Sequence, residues 1–356
     1  MSKVALIADT HWGVRGDNQS VIDYQCKFYD NVFFPTVDEK NIRHIIHLGD
    51  LVDRRKYINF FTAAAMTDRF IKPIVAREIT LDVIIGNHDV YHKNTNKLNA
   101  VERLYGGVSN LNIFTSPKEV DISGLNTLYL PWINIENQKE TLELIESTKC
   151  EVVFGHLELQ GFEMYKGSVA QTGTLDRKLL DKFDTVFSGH FHHKSSDGTI
   201  TYLGTPYEMT WSDYDDPKGF YIFDTTTREL EFIQNPYRLF NKIFYDDSTL
   251  SEFEEFNRDE YKHIAESYVR VVVKNKDNPQ LFDKFMRMVD SFNPLDAMIV
   301  EDHLNLNVED DTDLGDVEDT QTFLQKYVDQ LSVPAPRKDK LKNLFTTLYR
   351  ESQELE

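Results

Sequence analysis

The sequence predicts an α/β fold with a largely parallel sheet, and three observations carry that expectation. Short apolar runs that read as buried strands (residues 3–8, 45–48 and 81–85) alternate with segments whose apolar residues recur at helical spacing (19–40 and 57–77). Each run stops at Asp9, Gly49-Asp50 or Gly86-Asn87. The polar, chemistry-bearing side chains gather at those stops, and in open sheets of βαβ units ligands collect beyond the carboxyl ends of the strands.

The elements follow in order. Lys3–Ala8 is the first strand. Val21, Tyr24, Phe28 and Val32 space out a helix over 19–40 that Pro35 is expected to break or kink. Ile45-Ile46-His47-Leu48 is the second strand. Phe60, Ala64 and Phe70 fall on or near one face of a helix over 57–77, and Leu81–Ile85 is the third strand. Thr127–Leu130 ends at Pro131, residues 138–148 read as helix, Glu151–Phe154 ends at Gly155-His156, and Thr185–Ser188 ends at Gly189-His190. Short strands at Ile200–Leu203, Phe220–Phe223 and Leu230–Ile233 complete a second sheet packed on the first, with helices outside.

After Asn235-Pro236 only His263 and His303 remain of eleven histidines, and residues 236–300 read as a small α/β domain with Val269–Val273 its clearest strand. Residues 301–319 hold nine Asp or Glu and no Lys or Arg, the composition of a solvated acidic linker. Residues 320–356 carry two apolar i, i+3, i+4, i+7 sets, Leu324/Tyr327/Val328/Leu331 and Leu341/Leu344/Phe345/Leu348, separated by Pro334 and Pro336. That is an amphipathic helical hairpin too short to bury both faces by itself, so it docks either on its own chain or on a partner.

A chain of 356 residues with 40% hydrophobic content has room for two domains or three small ones. It has no apolar run of about 18 residues, so no membrane span is expected, and its N-terminus enters a strand pattern directly, which speaks against a signal peptide. Two cysteines, Cys26 and Cys150, fit free thiols in the reducing cytoplasm. A net charge of −20 speaks against tight, non-specific binding of nucleic acid by the isolated chain. It does not exclude a nucleic-acid substrate, because bound cations or a partner can supply positive charge.

Five stretches then converge on one metal site: Asp9-Thr10-His11, Gly49-Asp50-Leu51-Val52-Asp53, Gly86-Asn87-His88-Asp89, Gly155-His156 and Gly189-His190-Phe191-His192-His193. Asp9 and His11, one residue apart in an extended segment, can point to one side. Asp50 has two oxygens and can bridge two ions, Asn87 offers a neutral carbonyl, and His156, His190 and His192 offer imidazoles. The preceding glycines allow tight turns where backbones crowd. A nitrogen and oxygen donor set without thiolate suits manganese, iron or zinc better than calcium or magnesium, and two such ions can clamp a phosphoryl group. His88 sits one residue beyond a ligand position, where it can donate a proton to a leaving oxygen, with Asp53 to orient it and Arg54 to contact a phosphate. His44, His47, His92, His193, His263 and His303 read as ordinary histidines, His92 and His193 being nearest the motifs.

In this order the motifs resemble the calcineurin-like metallophosphoesterase superfamily over residues 3–225. The resemblance implies a two-sheet sandwich flanked by helices. One ion would be held by Asp9, His11, Asp50 and His192, the other by Asp50, Asn87, His156 and His190, with His88 as the catalytic histidine. Gly155–Gly167, Tyr202–Trp211 and Asp215-Asp216-Pro217-Lys218-Gly219-Phe220 are similar to the tailed-bacteriophage branch of the SbcD-type nuclease subunits of double-strand-break repair. That implies four parts: nuclease domain (1–235), DNA-binding capping domain (236–300), linker (301–319) and a hairpin (320–356) that binds an SMC-type coiled-coil ATPase. It also implies manganese-dependent 3′-to-5′ exonuclease action on duplex DNA, endonuclease action on single strands, and a homodimer formed through residues 19–40 and 57–77. Two other readings compete: a protein phosphatase or small-molecule phosphodiesterase of the same superfamily, which usually carries Glu where Asp89 stands, and a non-catalytic scaffold, which usually loses ligands that are all kept here.

Overall fold

Alternation of buried strands and half-buried helices organises the computed structural model, which describes residues 2–170, 173–249, 256–301 and Lys338. In chain order, β1 (Lys3–Ile7) leads through the single turn α1 (Val14–Asp17) to α2 (Gln19–Phe28), a π turn (Tyr29–Phe33) and α3 (Phe34–Glu39). Then come β2 (His44–His47), α4 (Phe60–Met66), a second π turn (Thr67–Ile71), α5 (Lys72–Ala76), β3 (Thr80–Ile84), α6 (Ala100–Tyr105), β4 (Leu111–Phe114), β5 (Lys118–Ile122) and β6 (Leu125–Leu130). They are followed by α7 (Gln138–Ser147), β7 (Val152–His156), the small hairpin β8 (Glu163–Tyr165) and β9 (Ser168–Val169), β10 (Thr185–Gly189), β11 (Ser195–Ser196), β12 (Ile200–Tyr202), β13 (Gly219–Asp224) and β14 (Leu230–Gln234).

Two six-stranded sheets result, in the orders β14-β13-β1-β2-β3-β4 and β11-β12-β10-β7-β6-β5. The middle of each is parallel: Ala5 pairs with Ile45 and Ile45 with Leu81 in the first, Val153 with Val186 in the second. Side chains alternate between the faces of each strand. Val4 and Leu6 of β1, Val152 and Phe154 of β7, and Phe187 of β10 share one buried cluster between the sheets. Val153 and Val186, on the opposite face of the second sheet, belong to another buried cluster with Ile145 of α7. Phe154 stacks on Phe187 at 5.5 Å and meets Phe223 and Tyr129 edge-on, so trimming it to alanine costs on the order of 3–5 kcal/mol.

Three expectations need correcting. The helix over residues 19–40 does not break at Pro35. A π turn precedes the proline, and the amide of Phe34 donates to Tyr29 O, one residue further back than in an α-helix. On the helices over residues 57–77 the buried face carries Thr62, Met66, Phe70, Ile71 and Ile74, whereas Phe60 is 92% exposed. Finally, β13 and β14 do not join the second sheet; β13 pairs antiparallel with β1 and β14 antiparallel with β13, widening the first. An apolar run fixes that a strand is buried, not which neighbour it finds.

Beyond β14 the chain forms a separate three-stranded parallel sheet, β15 (Phe240–Asp246), β16 (Tyr268–Asn275) and β17 (Asp296–Glu301), with α8 (Pro279–Asp290) packed on it. Ile243, Tyr245, Val269, Val271, Phe282, Phe285 and Val289 form its core. The acidic stretch from 302 onward and the hairpin of 320–356 lie outside the described residues, Lys338 apart. Among the described residues no helix is long and apolar enough to cross a membrane, and Cys26 and Cys150 are both free.

Candidate metal centre

The turns after β1, β2, β3 and β10, with the end of β7, bring the predicted side chains together. Beyond the strand ends β1 and β2 stay zipped: the amides of Asp9, His11 and Trp12 donate to Gly49 O, Asp50 O and Leu51 O, and Asp53 N donates back to Trp12 O. The Asp9–His11 segment is not extended as expected. Asp9 (φ 51°) and His11 (φ 40°) are both left-handed, and the resulting turn, not a strand's alternation, aims both side chains into one volume. Gly49 (φ 93°) and Gly86 are dictated by crowding. A Cβ on Gly49 would lie 2.4 Å from His156 Nδ1, and one on Gly86 would lie 2.2 Å from Asp50 Oδ1.

Two donor groups face each other across Asp50. Ligand atoms of Asp9, His11 and His192 lie within 4.8 Å of one another, and so do those of Asp50, His156 and His190. Asp50 Oδ1 accepts from His88 N at 2.8 Å, which leaves Oδ2 between His11 Nε2 at 3.6 Å and His156 Nε2 at 3.4 Å. Asp9 accepts from His190 N at 2.9 Å and so ties the second sheet's motif to the first. Asn87 Oδ1 lies 2.8 Å from His156 Nε2 and 2.9 Å from His190 Nδ1.

The donor chemistry fits divalent cations. His156 Nδ1 faces Leu48 O at 2.8 Å, an acceptor only, so Nδ1 carries a proton and Nε2 is the nitrogen set against the Asn87 and Asp50 oxygens, where a proton or a metal ion can stand. Neither ring nitrogen of His11 makes a hydrogen bond although both are buried. Acceptors converging on acceptors in a buried volume call for positive charge. The same demand shows in the protons. Burial pushes the Asp9 carboxyl up to about 7. Burial opposes charge on His11, but Asp53 and Asp50 outweigh it and raise the imidazole to about 9; His156 is likewise raised to about 9 by Asp50 against burial. Burial, with His156 beside it, holds His190 well below the usual range.

Around this core stand residues that sequence reasoning assigned loosely or missed. His88 Nδ1 lies 2.6 Å from the backbone carbonyl of Asp53, while the Asp53 carboxylate faces His11 Nδ1 at 3.4 Å. Arg54 Nη1 donates to Asp17 at 2.8 Å and its guanidinium lies over the Tyr57 ring at 5.0 Å. Arg55 Nε donates to Asn87 O at 3.0 Å. Asp89, fully buried, accepts from the amides of Asp50, Leu51, Val52 and Gly86, pinning the second motif to the third. Trp132 packs its indole on His190 at 5.3 Å. Asp89 was visible as the end of a motif; Asp17, Arg55 and Trp132 carried no pattern. Of the remaining histidines, His44 pairs with Asp82, His47 is buried beside Thr10, and His193 pairs with Asp216 and Glu163.

The chain is similar to several known proteins. A profile described as calcineurin-like phosphoesterase matches residues 2–194. Exonuclease subunit 1 of Enterobacteria phage T4 is 31% identical over 332 residues, covering 92% of this chain and 93% of that protein. The SbcD component of nuclease SbcCD from Staphylococcus saprophyticus is 24% identical over 292 residues, covering 74% and 77%. Among solved structures, the Pseudomonas putida nuclease MPE is similar at 14% identity and a TM-score of 0.31, over 65% of this chain and 87% of that one.

Proposed function

The chain belongs to the calcineurin-like phosphoesterase family and, within it, to the SbcD-type phage nucleases, and on that footing we propose that it is the two-metal nuclease subunit of a DNA recombination or double-strand-break repair complex. Asp50 carries the proposal: one carboxylate oxygen stands between the His11 and His156 imidazoles, where a bridging ligand belongs. Asp9, His11, Asp50 and His192 would hold one ion, and Asp50, Asn87, His156 and His190 would hold the other. Manganese fits this mixed set. When bound, two such cations supply Lewis acidity to both sides of a phosphodiester.

The chain's own residues do the rest. His88, with Nδ1 fixed on the Asp53 carbonyl, keeps Nε2 as the acid that protonates the leaving oxygen. Arg54, held between Asp17 and Tyr57, keeps guanidinium donors free for a strand's phosphates. The resemblance to SbcD-type nucleases, not the site geometry, supports 3′-to-5′ exonuclease action on duplex DNA with endonuclease action on single strands. Residues 1–235 are the nuclease domain, 236–300 the cap, 301–319 the linker and 320–356 the hairpin for an SMC-type ATPase. The net charge of −20 supports that division of labour, because a partner that supplies basic surface would bring the DNA. A groove of ≈ 470 Å³ lined by Ile22, Cys26, Phe61 and Ala65 together with the charged Asp23, Lys27, Asp30, Asp68 and Arg69, and the 92% exposure of Phe60 on α4, support a homodimer through α2 and α4. The cytoplasm is the expected compartment.

The test uses the purified chain with manganese and end-labelled duplex and single-stranded DNA, beside His88→Ala. Nucleotide release by the first and not the second is expected. Hydrolysis of phosphomonoesters in place of DNA would overturn the nuclease reading. Cleavage of a small phosphodiester but not of DNA would assign DNA access to the ATPase.

A further inference from the structure

Two stretches singled out in the sequence contribute no ligand, Asp215–Phe220 and Gly155–Gly167 beyond His156, yet both end on the same peptide. Lys218 is 4% exposed. Its ammonium donates to the backbone carbonyl of His192 at 2.8 Å and lies 2.7 Å from Asp213 Oδ1 and 2.8 Å from Asp216 Oδ2. Three acceptors use up the three N–H bonds of the ammonium. Both carboxylates are buried, and each is held below the usual carboxylate range against that burial, Asp213 chiefly by Lys218 and Asp216 by His193 together with Lys218. The residue after it has to be Gly219, because a Cβ there would lie 2.1 Å from Ile233 O.

The other stretch grips the same peptide from the opposite side. Met164 O accepts from His192 N at 3.0 Å and His193 N at 3.1 Å. His193 Nδ1 lies 3.0 Å from Asp216 Oδ1 and its Nε2 lies 3.5 Å from Glu163 Oε2. Thr205 N adds a further donor to the His192 carbonyl, at 3.2 Å. The His192 side chain, on the far side of this clamp, meets Asp9 and His11.

Resting on the two-ion reading above, we propose that Lys218 is a positioning residue for one ion only. With Asp213 and Asp216 it fixes the His192 peptide, and so sets affinity at the position held by Asp9, His11, Asp50 and His192, while the position held by Asn87, His156 and His190 is indifferent to it. Lys218 touches no ligating atom and is walled off from substrate, so its influence passes through His192 alone. The clamp also explains why a lysine stands here rather than a neutral donor. Two carboxylates are already buried at this point, and only a full positive charge offsets them.

The test is a manganese titration of the metal-free full-length chain by calorimetry, with Lys218→Met, Asp216→Asn and His192→Ala compared with wild type. The expected result is two ions bound by wild type, and in K218M a loss of about 10–100-fold in affinity at the same single position that H192A abolishes. The other position is unchanged, and DNA turnover in K218M returns at raised manganese with KM for DNA unaltered. D216N, which keeps Lys218 paired with Asp213, shifts the same position less and serves as the reading if K218M does not fold. Wild-type affinity for both ions in whichever of these variants folds would overturn the proposal. Fewer than two ions in wild type takes down the two-ion reading itself, and this proposal with it.

Discussion

His88 is oriented by the main chain of Asp53: its Nδ1 donates to the Asp53 carbonyl over 2.6 Å, and the carboxylate of the same residue turns away toward His11. The two halves of Asp53 therefore do different work, and variants should separate them. His88→Ala is expected to bind manganese as wild type does and to lose about 10²–10⁴ in turnover, the range of a general acid. Asp53→Ala keeps the carbonyl, so His88 stays in place. Its defect is weaker metal binding, about tenfold, recovered at higher metal concentration, as for other partners of a metal-ligating imidazole. Metal content and kcat measured on both variants decide the matter; loss of metal from H88A would remove the acid role.

Asp17 and Arg54 form a second pair with one purpose. Thr62 Oγ1 donates to Asp17 Oδ1 at 2.6 Å while Arg54 takes Oδ2, so the carboxylate is used on both sides and the guanidinium cannot swing away. Asp17→Asn and Arg54→Ala are each expected to raise KM for DNA about tenfold, about 1.4 kcal/mol, with kcat little changed. The double variant should be no worse than R54A alone, because Asp17 acts through Arg54. Steady-state kinetics on the three variants check this, and additive effects would sever the link.

Asp89 is a structural keystone under the second motif. It is buried and accepts four backbone N–H groups, at 2.8 to 3.2 Å. Asp89→Ala strands several of those donors and is expected to cost at least about 3 kcal/mol. Asp89→Asn keeps one acceptor oxygen and should fall between alanine and wild type. Urea denaturation at constant metal gives the order; an alanine variant within about 1 kcal/mol of wild type would contradict it.

The ligand motifs were legible because each follows an apolar strand and opens with a glycine or a carboxylate, a pattern that one-dimensional text preserves. What supports them was not. Asp17 and Arg55 are single residues whose partners Arg54 and Asn87 lie 37 and 32 positions away, and nothing in their neighbourhood marks them; Lys218 stood in a stretch marked by resemblance, but its bond to the His192 carbonyl, 26 positions away, was not legible there. The helices show a different limit. Proline removes an N–H and clashes one turn back, so Pro35 reads as a break or a kink. Here the amides of Phe34 and Lys72, each just before a proline, reach back five residues to Tyr29 and Thr67, and the wider turn lets each helix run on. Strands β4 and β5 escaped notice because they are half-exposed and lack the apolar run that marks a buried strand.

Glu208 supplies a dependence on pH away from the metal centre. Its carboxylate accepts the amides of Leu239 at 2.6 Å and Phe240 at 2.9 Å, where the chain enters the three-stranded sheet. Burial raises its pKa to about 7, against the pull of those two amides. A carboxyl whose folded pKa lies above its unfolded value favours the fold while protonated. The fold therefore loses stability as pH climbs from the unfolded value near 4.5 to the folded value near 7, and the loss is complete above that. The shift corresponds to about 3 kcal/mol at most. Glu208→Gln keeps an acceptor oxygen for the two amides and cannot ionise, so the gap between variant and wild type should widen in the variant's favour from about pH 5 to about pH 7.5. Denaturation curves at three pH values test it, and parallel profiles for the two proteins would show that the Glu208 carboxyl ionises in the fold as readily as in the unfolded chain.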